Sequence, residues 1–204
     1  MVKRNQTYVI QSPQQLAALA TPARQEIVDV LSQMGTVSVA EIAAALGRPA
    51  DALYYHLRTL TRVGLVLKAG YRHKGERREA LFRTVAPELR LRYEPLSPGN
   101  RRAVTAIVGS MLRLGVRDFR RAFQGGEVIV SGAQRELWAL RRTGWLSLTE
   151  IATVNRLIQR LSGTVAQPKG RGRPYGITVL LTPLDHRRRT GARTPTSGKK
   201  ERHK

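Results

Sequence analysis

The sequence predicts an α+β fold, and three patterns within its 204 residues support that prediction. Stretches with helical apolar spacing, each ended by a glycine, follow one another in the first third of the chain. Two β-type runs around a polar tip come directly after them, and the second half adds further helical and alternating patterns. Because 41% of the residues are hydrophobic, we expect a packed core despite a net charge of +22.

The charge and composition of the chain favour some classes of protein and exclude others. Lysine and arginine number 36 against 14 acidic residues, which favours a polyanionic partner. The absence of cysteine excludes disulfides, thiolate metal sites and cysteine nucleophiles. No long apolar run and no N-terminal signal pattern occur, so we expect a cytoplasmic, nucleoid-associated protein with no membrane partner.

Two helices are predicted first. Thr21-Pro22 is typical of a helix start, and apolar residues at helical spacing continue to a stop at Gly35. Ser38 and Glu41 have the spacing of a capping box, which opens a short second helix ending at Gly47.

A third helix and a hairpin complete this unit. The helix is predicted over residues 49–63, with Leu53, Leu57 and Leu60 facing the core and Gly64 as its stop. Residues 65–72 and 80–85 are β-type runs on either side of a basic tip, which predicts a β-hairpin. Helix-turn-helix followed by a hairpin is the order of elements in a winged helix.

These residues also carry a family resemblance. The segment from Leu46-Gly47 through His56-Leu57 and Leu60 to Gly64-Leu65-Val66 resembles the winged helix-turn-helix of the arsenical-repressor (ArsR-type) superfamily, and residues 19–24 resemble the start of its first core helix. The likeness covers about residues 15–85. It implies a bacterial or archaeal transcription regulator that binds double-stranded DNA as a homodimer.

The third helix provides a mechanism for DNA recognition. With its leucines buried, its opposite face presents one continuous stripe, formed by Asp51, Tyr54, Tyr55, Arg58 and Arg62. A helix of this size fits the major groove, where Arg58 can hydrogen-bond guanine. Asp51 either accepts a hydrogen bond from cytosine or caps the helix, and His56 either packs beneath the helix or contacts DNA.

Charge is concentrated beside this helix. Residues 1–47 sum to zero, whereas residues 48–83 carry +6. We expect the wing, residues 71–79, to contact the DNA backbone or the minor groove. Its predicted contacts, with two further residues from the helix-turn-helix, are Arg72, Lys74, Arg77, Arg78, Ser38 and Arg48.

The predicted domains are a winged helix-turn-helix at 1–95, a small helix-strand-helix-strand module at 96–183 and a disordered basic tail at 184–204. In the module, a helix is expected from Ser97-Pro98 to about Phe123 and a strand within 134–146. A second capping box, Ser147 with Glu150, opens another helix, and residues 175–181 alternate like a strand. This module is expected to serve dimerisation or effector sensing.

Several features of the second half allow two interpretations. The long helix either dimerises or packs on its own chain, and its arginines (Arg113, Arg117, Arg120 and Arg121) either face solvent or hold an anion. The aromatic residues Trp138, Trp145 and Tyr175 either fill a core or line a pocket. Arg171-Gly172-Arg173-Pro174 resembles either the centre of an AT-hook or a turn before a strand.

No catalytic motif is present, so we expect no enzyme activity, no cofactor and no metal, with Asp118, Glu127 and His186 as the one weak alternative for a metal site. The function predicted is that of a sequence-specific, dimeric transcription regulator. Its effector, if it has one, is an unidentified small molecule. The alternative functions are a non-specific architectural or nucleoid protein, and a scaffold that uses the winged helix to bind another protein.

Overall fold

The computed structural model describes residues 7–166 and 172–184. Within these ranges the elements are, in chain order, β1 Thr7–Ile10, α1 Pro13–Leu19, α2 Pro22–Met34, β2 Val37–Ser38, α3 Val39–Leu46, α4 Asp51–Arg62, β3 Val66–Lys74, β4 Arg77–Thr84, β5 Glu88–Leu91, α5 Pro98–Gly125 and α6 Leu148–Val165. The α+β prediction is confirmed. None of the helices in this part of the chain is long and apolar enough to cross a membrane.

Helices α2, α3 and α4 form the helix-turn-helix core. Each contributes side chains that are almost fully buried, namely Ile27 and Leu31, Ile42, and Leu53, Leu57 and Leu60. The capping box of α3 is present, because Ser38 N donates to Glu41 Oε2 at 2.8 Å and Glu41 N donates to Ser38 Oγ at 3.4 Å. Gly47 ends α3 at a φ of 60°, a left-handed conformation that favours glycine.

The predicted hairpin is formed by β3 and β4, and β2 pairs with the outer side of β4. The strands are antiparallel with Arg72 opposite Glu79 and Lys74 opposite Arg77, so only Gly75 and Glu76 form the turn. Gly75 has a φ of 61°, as tight two-residue hairpin turns require. The hairpin therefore projects as a narrow wing next to α4.

Four elements of the N-terminal unit were not predicted: β1, α1, the two-residue strand β2 and β5. Strand β1 pairs in parallel with β5, from Thr7 opposite Glu88 to Ile10 opposite Leu91. Ile10 and Leu16 are 1% exposed, so this edge and α1 belong to the same core as the helix-turn-helix.

The long helix α5 packs on α1 and α2 of its own chain. Its Val104 and Ile107 are buried in the N-terminal core, and Gln25 Nε2 of α2 donates to the Ile107 carbonyl at 3.2 Å. The core thus continues past residue 95, where the sequence placed a domain boundary. Phe119, two turns beyond Met111 on the apolar side of this helix, is 39% exposed.

The two strands predicted in the second half are wrong. Residues 134–146 and 175–181 form no ladder in the described part of the chain, because no neighbouring strand there pairs with their backbone N–H and C=O groups. Trp138, Trp145 and Tyr175 are 65%, 85% and 48% exposed and form neither a core nor an enclosed pocket. The predicted helix α6 is present with its Ser147 cap.

Two further predictions fall outside the described ranges. They are most of the tail, 185–204, and the first residue of the Arg-Gly-Arg-Pro segment, Arg171. Of that segment, Arg173 is described, and its Nη1 lies 3.4 Å from Glu136 Oε1.

Candidate nucleic-acid interface

The outer face of α4 presents the predicted stripe to solvent. Its five members, Asp51, Tyr54, Tyr55, Arg58 and Arg62, are all exposed. Tyr54 and Tyr55 are 50% and 67% exposed although large rings usually bury more of their surface. Leu53, Leu57 and Leu60 hold the opposite face in the core at 0–2% exposure. The helix is thus fixed on one side while its polar and aromatic side chains point outward.

Asp51 is the first residue of α4, and the N-cap is Ala50, which makes no side-chain cap bond. Of the two alternatives for Asp51, capping in the strict sense does not apply, because Asp51 does not occupy the N-cap position. Its carboxylate lies in the first turn, where a negative charge favours the helix dipole.

His56 lies on the flank of α4 and is half-buried. Its Nδ1 is buried without a hydrogen-bond partner among the described residues. Burial, followed by the positive charges of Arg24 and Arg48, lowers the pKa of His56. These surroundings favour the packed interpretation of His56 over a DNA contact.

Two of the predicted DNA contacts are occupied inside the fold. Ser38 is 2% exposed, and its hydroxyl caps α3, so its side chain is not available to DNA. Arg48 Nη2 lies 2.6 Å from Glu26 Oε2, in an ion pair within the N-terminal unit. The sequence predicts Arg48 as a DNA contact but gives no sign of its ion-pair partner, Glu26.

On the wing, cations are held in place by neighbouring side chains. Arg72 Nη2 lies 3.0 Å from Glu41 and 3.2 Å from Glu79. The bond from Ser38 N, and then Arg72, lower the pKa of Glu41, so this carboxylate stays charged at neutral pH. Arg72 therefore ties the wing to α3 and leaves less of its charge for phosphate.

Two cations, Arg78 and Lys68, contact Tyr71 at the exposed base of the wing. The guanidinium carbon of Arg78 lies 3.7 Å from the centre of the Tyr71 ring, and Lys68 Nζ donates to the Tyr71 hydroxyl at 2.6 Å. That bond lowers the pKa of Tyr71. The sequence did not single out Tyr71 or Lys68. The side chains of Lys74 and Arg77, both predicted contacts, lie outside the described part of the structure.

Residues 19–68 match the family model of a helix-turn-helix domain. The match spans α2, α3 and α4, whose order and burial are described above. The N-terminal unit contains a helix-turn-helix domain. This supports the coarse family prediction, a helix-turn-helix regulator, while the ArsR-type assignment stays a prediction.

The chain was also compared with solved structures and with curated proteins. The chain is similar to a solved structure titled "Crystal structure of RV1404 from Mycobacterium tuberculosis", at 15% identity, over 78% of this chain and 86% of that one, with a TM-score of 0.29. At that TM-score no conclusion about this chain follows. No curated protein matches the chain.

A second ion pair connects the helix-turn-helix domain to α5. Glu26, whose side chain is 11% exposed, accepts from Arg48 through Oε2 and lies 2.6 Å from Arg117 Nη1 through Oε1. One carboxylate on α2 thus joins the loop before α4 to α5. Arg117 was predicted to face solvent or bind an anion, and no sequence pattern indicated this partner, 91 residues away.

Asp29 lies one helical turn from Glu26. Desolvation, then the charges of Glu26 and Asp118, raise the pKa of Asp29 to about 6. The residue nonetheless has an exposed side, so water screens part of this effect.

Three other arginines of α5, Arg101, Arg102 and Arg113, line an open groove of about 670 Å³ against Ala20. The groove is open to solvent along its length. Within residues 7–166 and 172–184, no cluster of His, Asp and Glu has the composition of a metal site.

Proposed function

We propose that this protein is a sequence-specific regulator of transcription that binds double-stranded DNA as a homodimer. The observation that carries the proposal is the exposed stripe of α4 within a helix-turn-helix domain. In this arrangement α4, predicted from sequence as residues 49–63, enters the major groove, and the wing at 71–79 lies on the backbone or the minor groove.

The stripe offers the chemistry that base reading requires. Arg58, near the middle of α4, is exposed and has no ion-pair partner in the described structure, so its guanidinium can donate two bonds to guanine. The adjacent tyrosine rings can contact thymine methyl groups, while their hydroxyls can bond to phosphate. Arg78 and Lys68, grouped around Tyr71, are placed to contact the sugar-phosphate backbone.

A homodimer would place two α4 helices in successive major grooves about 34–36 Å apart. The bound sequence would then be an inverted repeat with half-sites one helical turn apart. This geometry distinguishes a regulator from an architectural protein, which binds through phosphates and DNA shape alone.

Selection from random duplex DNA with the full chain, followed by sequencing, tests the proposal. We expect an inverted repeat to be enriched at physiological salt. Binding without any enriched sequence, lost steeply as salt rises, would establish the architectural alternative, which the large charge of the second half favours. No binding at physiological salt would instead support the scaffold alternative.

A further inference from the structure

The chain beyond Leu114 leaves its apolar side chains uncovered. Within the described residues, Leu114 is the last buried residue, and nothing after it in the chain is buried. Helix α6 has 18 residues and an apolar side, yet it contributes no buried residue. A region with this much apolar surface does not complete a core within one chain.

Part of this exposed apolar surface lies along one side of α5. Four large side chains at intervals of four, three and four residues form a single exposed stripe, namely Leu112, Val116, Phe119 and Phe123. Thr178, in the middle of residues 175–181, lies beside this part of α5, because a β-carbon on Gly115 would lie 3.6 Å from Thr178 Oγ1. Tyr175 donates from its hydroxyl to Glu136 Oε1 at 2.5 Å, which anchors the same segment.

Alternation in residues 175–181 adds four more exposed side chains, namely Tyr175, Ile177, Val179 and Leu181, at 43–51% exposure. We call the α5 stripe and these four residues the C-terminal apolar face. Across the described part of the chain, no backbone hydrogen bond reaches residues 175–181. The segment therefore combines the side-chain pattern of a strand with backbone donors and acceptors that still lack protein partners.

We propose that a second copy of this chain covers the C-terminal apolar face, and that residues 175–181 find their backbone partners across that interface. The inference deepens the proposed function, on which it rests for the existence of a dimer. It names the surface that assembles the dimer, which lies outside the helix-turn-helix domain.

Area and charge favour a second copy as the occupant. The eight side chains, each about half exposed, offer on the order of 800 Å² together, which is the area that one partner contributes to a stable interface. None of the eight is charged, so the face does not suit DNA phosphates. A second copy brings the same apolar stripe and the same segment with unpaired backbone groups, as a two-fold interface requires.

The test uses full-length protein and sedimentation velocity over a range of concentrations. Ile177→Asp and Phe123→Asp each place a charge in the proposed interface at a position that is 51% or 64% exposed in the single chain, so the fold should survive. We expect each to raise the dimer dissociation constant at least about 100-fold. Leu96→Asp is the matched control, since Leu96 is 95% exposed and lies outside the face, and it should leave the dimer unchanged.

A second arm uses the lack of native cysteine. Ile177→Cys should cross-link two chains under mild oxidation, whereas Leu96→Cys should not. The cross-linking result does not depend on an introduced charge. Thermal unfolding of the aspartate variants separately checks whether that charge disturbs the fold.

The outcomes separate the inference from the proposed function. A dimer that persists in both aspartate variants, with no cross-link at position 177, overturns this face but leaves a dimeric regulator in place. A wild-type chain that stays monomeric at about 100 μM overturns the inference and the homodimer together. If the dimer responds to the variants as expected but enriches no DNA sequence, only the proposed function as a sequence-specific regulator is overturned.

Discussion

At the residue scale, Arg58 and Arg78 are both exposed cations of the candidate interface, but their surroundings assign them different tasks. Arg58 projects from the outer face of α4, whereas Arg78 lies over the Tyr71 ring at the base of the wing. A side chain that reaches base edges contributes to sequence preference, and one that reaches phosphate contributes to affinity for any sequence.

We therefore expect Arg58→Ala to lower the preference for the selected sequence by about 1–3 kcal/mol, and Arg78→Ala to weaken all duplexes alike and flatten the salt dependence. Fluorescence anisotropy with selected and scrambled duplexes at several salt concentrations measures both effects. Arg90→Ala is the control, because Arg90 lies on β5 and pairs with Glu88. Equal losses on both duplexes for Arg58→Ala would contradict its assignment to base reading.

Glu26 is the residue whose loss should disturb most contacts at once. Glu26→Gln removes the anion between Arg48 and Arg117, and since the carboxylate is 11% exposed, we expect a loss of about 1–3 kcal/mol of unfolding free energy. Urea unfolding measures the change. Glu88→Gln breaks an exposed ion pair and should stay within about 0.5 kcal/mol of wild type. Similar values for the two variants would show that the Glu26 pairs contribute no more than surface pairs.

The raised pKa of Asp29 predicts how the stability of the fold depends on pH. Its pKa is raised from 3.8 to about 6, so the folded state holds a proton that the unfolded state has already lost within that interval. The contribution of Asp29 to stability therefore falls as pH rises from 3.8 to about 6, and is unfavourable above it. Because Asp29 has an exposed side, we expect less than about 1 kcal/mol in total.

Asp29→Asn tests this sign. The variant should match or exceed the wild-type stability at pH 7, and the difference should shrink as pH falls towards 4. Chemical unfolding at intervals across this range gives both profiles. A difference that grows at acid pH would mean that Asp29 is stabilised in its charged form.

At the element scale, the turn between α3 and α4 sets the position of α4, the proposed recognition helix. Gly47 adopts a φ of 60°, and a β-carbon there would meet no neighbouring atom, so the cost of a side chain is conformational only. We expect Gly47→Ala to destabilise the fold by about 1 kcal/mol and to weaken binding to the selected duplex, because α4 must shift to relieve the strain.

The control for Gly47→Ala is Gly99→Ala, at a helical position of α5 with room for a methyl group, which should be neutral or slightly stabilising. Thermal unfolding together with duplex titration measures both variants. A Gly47→Ala protein of wild-type stability would show that alanine adopts the left-handed turn without strain.

Elements set by neighbouring residues could be predicted from the sequence, and those set by distant pairing could not. The capping box of α3 and the glycine stops of α2 and α3 depend on residues within about four positions, and the structure confirms them. Strand β1, by contrast, exists because it pairs with β5, and Thr7 and Glu88 are 81 residues apart. Residues 175–181 show the opposite case. Their side chains alternate as in a strand, but they form no strand because no other strand in the described part of the chain pairs with them.

The same limit applies to the candidate site. The five-residue stripe of α4 follows from helical periodicity, so the sequence placed it correctly. Arg48 was predicted as a DNA contact because it is basic and next to the recognition helix, but Glu26, 22 residues away, occupies its guanidinium. A cation's partner depends on tertiary packing, which periodicity does not reveal.

At the scale of the whole molecule, the net charge of +22 is distributed over regions that should act differently on DNA. Residues 48–83, with the recognition helix and the wing, carry +6, and residues 183–204 carry another +6 with no part in the helix-turn-helix match. Charge that is not tied to base-reading side chains should strengthen binding to every duplex equally.

Truncation after Leu184 isolates that contribution, since it removes eight basic and two acidic residues and leaves α4 and the wing unchanged. We expect weaker binding to selected and scrambled duplexes by the same factor. The slope of log affinity against log salt should become shallower by about 0.9 for each phosphate that the shortened chain no longer neutralises. Anisotropy titrations between about 50 and 200 mM salt cover the range in which this effect is large. An unchanged slope would mean that the removed residues do not bind phosphate, and a reduced ratio of selected to scrambled affinity would mean that they take part in sequence recognition.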